Sequence, residues 1–341
     1  MRALAPPSVL SSWTRVIVDA LEALGIDPAP VLLEGGFAED SFRDPNARLS
    51  ALATARLWRT ASERAADPAF GIHASRFVRP ATFHALGYAV FASTSLRDAL
   101  ERLLRYSHLV SDAAELSLEM TPSEVRLAFV PREHAELVPG VPSAEALDAV
   151  MSLIVRTCRT LTDKSFSLKL LEQRRPTPAS AVPYQRFFRC PVEFGAAEDA
   201  LTFDASVLDR RLPTANPELA RHNDDLVQRY LAGMREGTVV DRLRSILSQH
   251  LSADASPHKL AALLGMSSRS LQRRLQEHGT SYAQVLRDTR RDLAMSYLVQ
   301  PQCSITEIAF LLGFEDASAF ARAFRSWTGV TPSAFRSAQI P

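Results

Sequence analysis

The segment Ser267-Ser268-Arg269-Ser270-Leu271-Gln272-Arg273-Arg274-Leu275-Gln276 concentrates side chains that make directed polar contacts. On a helix, Leu271 and Leu275 share one face at i, i+4, which turns Ser268, Arg269, Gln272, Arg273 and Gln276 outward. Guanidinium and carboxamide groups so placed can make paired hydrogen bonds to planar partners. A second stretch repeats the layout. Phe320 and Phe324 take the inner positions and leave Ala317, Ser318 and Arg322 outside. Groups for covalent or metal chemistry are sparse. Cys158, Cys190 and Cys303 are too far apart for a metal clip, and the eight histidines form no i, i+4 ligand pair. His-Glu-x-x-His, G-x-S-x-G, Walker and G-x-G-x-x-G patterns are absent. The expectation is a chain without cofactor or metal that is not an enzyme.

The elements that must hold these two faces form an internal repeat. LAALLGMSSRSLQRRL at 260–275 matches IAFLLGFEDASAFARAF at 308–324 with a spacing of 48 residues, up to one extra residue late in the second copy. Ala261 and Ala309 are small where two helices must cross. Gly265 and Gly313 suit a left-handed turn. Met266 and Phe314 follow as apolar plugs, and the pairs Leu271/Leu275 and Phe320/Phe324 bury the second helix. Ser256-Pro257 and the capping box Ser304-Ile305-Thr306-Glu307 predict the two helix starts. Tyr282, Leu286, Arg290, Ala294 and Leu298 recur every four residues, which predicts one long helix between the units. Two helix-turn-helix units joined by a linker helix follow from the pattern.

On these residues, 238–336 closely resembles the DNA-binding domain of AraC/XylS-type transcriptional regulators. The likeness rests on the two repeat windows, on GTSYAQVLRDTRRDLA at 279–294, and on GVTPSAFR at 329–336. A less diagnostic likeness covers roughly 20–220. It rests on LGYAVFASTSLRDALERLLRYSHLV at 86–110, YQRFFRCPVEF at 184–194 and LTFDASVLDRRLPTANPEL at 201–219, and is similar to the arabinose-binding-like regulatory domain of that family. The resemblance implies a bacterial one-component regulator, here expected to be an activator, that binds promoter DNA, answers to a small-molecule effector, dimerises and contacts RNA polymerase. It implies that Arg269, Gln272 and Arg273 reach base edges, where Arg pairs with guanine and Gln with adenine. Ser268 and Gln276 flank them, and Arg322 is the main reader of the second unit, beside Ala317 and Ser318. Arg290 is expected to brace the units through an ion pair. Arg325 and Arg336 are expected either at phosphates or in solvent. Some proteins with such a DNA-binding domain accept an alkyl group on a cysteine, and Cys190 is the one candidate for that alternative. It has no neighbouring histidine in the chain to activate it.

Upstream, the texture is α+β. Helices are predicted at 12–24 (capped by Ser12, with Trp13, Val16, Ile17, Ala20 and Leu24 on one face), 50–66, 81–92, 96–107, 143–161 and 218–234. Glu115–Met120 and Val125–Val130 read as a hairpin, with further strands at Phe166–Leu171, Val192–Phe194 and Ala200–Phe203, so an antiparallel sheet is expected. No polar motif identifies the effector residues. Arg97, Arg102, Arg105, Tyr106 and His108 are candidates for a polar pocket or for a solvated face. His222-Asn223-Asp224-Asp225 reads as helix-capping sequence.

The chain has 341 residues, 46% apolar and 23% charged, ordinary for a globular protein of two domains. The boundary is placed near 237, giving 1–237 as regulatory and 238–341 as DNA-binding. Net charge is +1 overall, but 238–341 nets +4 and the remainder −3. That polarity favours a polyanion at one end. It is too small for a purely phosphate-driven architectural binder. No apolar run reaches 18 residues, and unpaired cysteines suit a reducing cytoplasm.

Overall fold

The computed structural model describes residues 7–132, 140–162, 166–236, 239–251, 256–298 and 303–339. Two compact units part between Arg229 and Tyr230, inside the helix Pro217–Glu236. The expected boundary near 237 lies outside the described residues.

The upstream unit is a five-stranded sheet packed against helices. Strands β3 (Ala114–Met120), β4 (Glu124–Pro131), β5 (Leu168–Gln173), β6 (Val192–Phe194) and β7 (Asp199–Asp204) lie in the order β3-β4-β7-β5-β6. The β3–β4 hairpin pairs Met120 with Val125, as the alternation predicts, and Thr121 closes its turn onto Glu124. The sheet is mixed rather than purely antiparallel, because β6 runs parallel to β5. The chain between them passes through the short helix Val182–Phe188, which supplies the crossover that a parallel pair needs. A separate two-stranded ribbon pairs β1 (Ser8–Leu10) with β2 (Arg48–Ser50).

Helices α1 (Ser11–Ala23), α3 (Ala51–Arg64), α6 (Leu96–Val110) and α7 (Ala144–Leu161) match the predicted ones, with α2 at Pro28–Gly35, α4 at Phe70–Ala74 and α5 at His84–Phe91. Ser50, Ser95 and Ser143 accept backbone N–H groups as N-caps. Ser12 does not cap α1. It lies inside the first turn, and its hydroxyl donates to the Thr82 carbonyl. Leu24 follows the helix and is exposed, while Trp13, Val16, Ile17 and Ala20 are buried. The core joins Met151, Val155 and Cys158 of α7 to Leu127, Leu171, Leu201 and Phe203 of the sheet, with Tyr184 and Phe188 beside them. Each such Val, Leu, Met or Phe side chain, fully buried, contributes about 1.5–3 kcal/mol.

The downstream unit is all helical: α10 (Val239–His250), α11 (Pro257–Leu263), α12 (Ser268–Glu277), α13 (Tyr282–Leu298), α14 (Ile305–Leu311), α15 (Ala317–Thr328) and α16 (Pro332–Gln339), with α8 (Val182–Phe188) and α9 (Pro217–Glu236) preceding them in the chain. The linker helix forms as expected. Its buried stripe is Val285, Thr289, Ala294, Met295 and Leu298 rather than the strict four-residue series, so Leu286 and Arg290 are only half-buried.

Candidate nucleic-acid interface

Each helix-turn-helix is built from local signals. Ser256 caps α11, and Ser304 with Glu307 closes a capping box on α14. The turns pass through Gly265 and Gly313 at φ +71° and +73°. Ser267 and Asp316 cap the two second helices, accepting from Ser270 N and Ala319 N. Ala261, Leu271 and Leu275 are buried in the first unit, as are Ala309, Phe320 and Phe324 in the second. Phe314 packs on Phe320 and Trp327 at ring distances of 5.6 and 5.9 Å.

With those residues buried, the other face of each second helix is turned to solvent. Arg269, Gln272, Arg273 and Gln276 are exposed on α12, and Ser268 is half-buried at its start. Ser318 and Arg322 are exposed on α15, where Ala317 is half-buried. Arg273 Nε lies 3.6 Å from Glu277 one turn on, with both side chains largely in solvent. The two helix starts differ in charge. The first opens on Ser267-Ser268-Arg269, the second on Glu315-Asp316-Ala317. A helix N-terminus favours anions, and two carboxylates beside it offset that preference.

Arg290 braces the second unit, and among the described residues it does so through a carbonyl and a ring rather than an ion pair. Its Nε donates to the Leu312 carbonyl at 2.9 Å, and its guanidinium lies 4.9 Å from the centre of the Phe314 ring. Burial lowers its pKa, and the Tyr282 hydroxyl pushes the other way. The first unit has the same device, unread in the sequence. Arg242 on α10 donates to the Leu264 carbonyl at 3.2 Å. Arg242 and Leu264 each precede Arg290 and Leu312 by 48 residues, so the repeat spans three helices, and that spacing was the available signal. Arg336 is half-buried and held by main chain. It donates to the carbonyls of Leu298 and Cys303 at 3.1 and 2.6 Å. Arg325 is exposed.

In the upstream unit three of the polar candidates on α6 are tied up structurally, while Arg105 is exposed. Arg97 forks onto Asp209, Arg102 onto Asp224, and the Tyr106 hydroxyl accepts from Gln228. Asn223 and Asp224 lie inside α9 rather than at its start, because α9 begins at Pro217. Burial pushes the Cys190 thiol up to about 11, against the thiolate that alkyl transfer needs.

These features define a two-unit helix-turn-helix protein with a separate α/β regulatory unit, and similarity to known proteins agrees. The family described as "Arabinose-binding domain of AraC transcription regulator, N-term" matches residues 25–212, and "Helix-turn-helix domain" matches 260–338. The chain belongs to the AraC family of transcription regulators. It is similar to the ornithine utilization regulator of Pseudomonas aeruginosa, with 30% identity over 96% of each chain. It is also similar to the HTH-type transcriptional regulator VirS of Mycobacterium tuberculosis, with 26% identity over 93% of each. The crystal structure of the regulator CdpR from Pseudomonas aeruginosa aligns over 96% of this chain and 98% of its own, with TM-score 0.48 and 22% identity. The protein is a DNA-binding transcription regulator with an effector domain. Among the described residues, no helix is long and apolar enough to cross a membrane.

Proposed function

We propose that the chain works in the cytoplasm as a homodimeric, effector-gated activator without a catalytic step, residues 1–237 sensing and dimerising and 238–341 reading promoter DNA and presenting the dimer to RNA polymerase. In this reading Arg269, Gln272 and Arg273 read bases, Ser268 and Gln276 flank them, and Arg322 reads in the second unit beside Ala317 and Ser318. The observation that carries it is the pair of capped helices with buried inner faces and free outer ones, the first rich in Arg and Gln. Two such helices in successive major grooves would engage half-sites about 10 bp apart. Selection of bound sequences from random duplex DNA tests this. A bipartite motif of about 20 bp per protomer is expected, with stronger preference in the half under α12. Enrichment of one short half-site, or of none, overturns it.

A further inference from the structure

The upstream unit holds an apolar cleft that the DNA-reading surface does not use. It offers about 150 Å³ between α1, α3, α6, α7 and the β3–β4 hairpin, and its wall includes Trp13, Trp58, Phe83, Leu103, Phe129 and Ile154. A volume of this size accepts a benzene ring. The helix α6 contributes Leu103, Ser107 and Val110, not its arginines.

The chemistry of the wall restricts the occupant. Among the described residues that line it there is no Arg, Lys or His, and Glu115 is the one ionisable group, paired with Arg132 at 3.7 Å. A carboxylate would be desolvated there with no cation of its own in the described wall, since Arg132 is already paired with Glu115. A sugar would leave most of its hydroxyls facing hydrocarbon. Among the few polar side chains of the wall, the Thr54 hydroxyl already meets that of Thr14, and Ser143 is committed as the cap of α7. Trp58 differs. It is fully buried, its ring packs on Trp13 and Phe70 at 5.8 and 6.0 Å, and its indole N–H has no hydrogen-bond partner among the described residues. That nitrogen is closed off from the open space of the cleft, so a ligand acceptor meets it only as the ring shifts on binding; a buried donor left unmade is costly, and an acceptor brought to it is selectively favoured.

We propose that this cleft is the effector site, and that the effector is an uncharged, mostly apolar molecule of about one ring carrying a hydrogen-bond acceptor that takes the Trp58 indole hydrogen. The proposal rests on the reading of the chain as an effector-gated regulator. It assigns that regulator a ligand class unlike the sugar in the name of the matched domain.

The test is calorimetric titration of the full chain with acetophenone, octan-2-one, ethylbenzene, octanoate and L-arabinose. The two ketones should bind saturably, ethylbenzene about 3- to 10-fold more weakly for want of one hydrogen bond, and octanoate and arabinose not measurably. Trp58→Phe keeps an aromatic wall without the donor, and should erase the ketone advantage while retaining ethylbenzene. Leu103→Trp, which fills the cleft, should abolish binding of all three. Ketone binding should also change affinity for the selected promoter sequence. Four results would overturn the proposal: no saturable ketone binding, tighter binding of octanoate or arabinose, a ketone advantage that survives Trp58→Phe, or ketone binding with no effect on promoter affinity. Specific promoter binding by the ligand-free chain, measured in parallel, tests the regulator reading separately. Its loss beside intact ketone binding would sink that reading alone.

Discussion

Arg273 has two competing partners, Glu277 in the free protein and a base edge in the proposed complex. Because the Arg273–Glu277 pair is exposed, it is weak, about 0.2–1 kcal/mol. Releasing the arginine with Glu277→Gln should therefore strengthen promoter binding by about two- to fivefold at low salt. Arg273→Ala should cost about 1–3 kcal/mol and relax preference at one base position. Titration against matched and single-substituted duplexes separates the cases, since a uniform loss across sequences would place Arg273 on phosphate instead. Asp148 shows the opposite extreme of environment. It is wholly buried on α7 and accepts from Gln173, Arg175 and Tyr184 at 2.5–2.6 Å, yet desolvation outweighs those partners and pushes its carboxyl up to about 6. Between about pH 4 and 6 the folded chain then holds a proton that the unfolded chain has released. The contribution of Asp148 to stability should fall as pH rises through that window and level off above it. Urea unfolding at pH 4 to 7 should show wild type losing about 2–3 kcal/mol relative to Asp148→Asn over that span. A pH-independent difference between the two proteins would refute it.

At the scale of elements, the two turns look equivalent in sequence and differ in surroundings. A Cβ on Gly265 would meet nothing within 4 Å, whereas one on Gly313 would lie 2.2 Å from the Leu251 carbonyl oxygen. Gly265→Ala should cost only the left-handed backbone penalty, about 1–2 kcal/mol. Gly313→Ala adds a collision with main chain and should cost more than about 3 kcal/mol. Denaturation of the two variants side by side checks the ordering, and equal costs would mean the turns are packed alike. Arg290 is the corresponding side-chain brace. Arg290→Met keeps an apolar stem over Phe314 but leaves the Leu312 carbonyl without its donor, so a loss of about 1.5–3 kcal/mol is expected. Unchanged stability would show that water replaces the guanidinium at no cost.

For the whole molecule, each unit has its own buried core, and the opposite net charges of the two portions fit separate tasks. A fragment of 238–341 should still choose the promoter sequence, more weakly for loss of avidity, and should ignore any effector. Mobility-shift titration of fragment and full chain with and without ketone measures both. A folded fragment blind to sequence, or one that still responds, would refute the division of labour. The effector acts only so far as it binds one arrangement of the chain more tightly than another.

Much of this protein is local and was legible as such. The i, i+4 pairs Leu271/Leu275 and Phe320/Phe324, the capping serines 256 and 304, the paired turn glycines and the Thr121–Glu124 hairpin each act within a few residues, so residue order alone determines them. The repeat added a second, independent copy of the same physics. Tertiary structure decided whatever depends on residues far apart in the chain. Strand β7 lies between β4 and β5, which precede it by many residues, and no alternation pattern encodes that order. Ser12 reads as a cap until Thr82 arrives to accept its hydroxyl. Arg290 reads as half of an ion pair, and Arg336 as a cation for phosphate or solvent, until folded carbonyls claim them. The cleft around Trp58 is assembled from residues between Val9 and Ile154. An apolar periodicity says that such residues are inside. Only their packing decides where the inside leaves room and which buried donor is left without a partner.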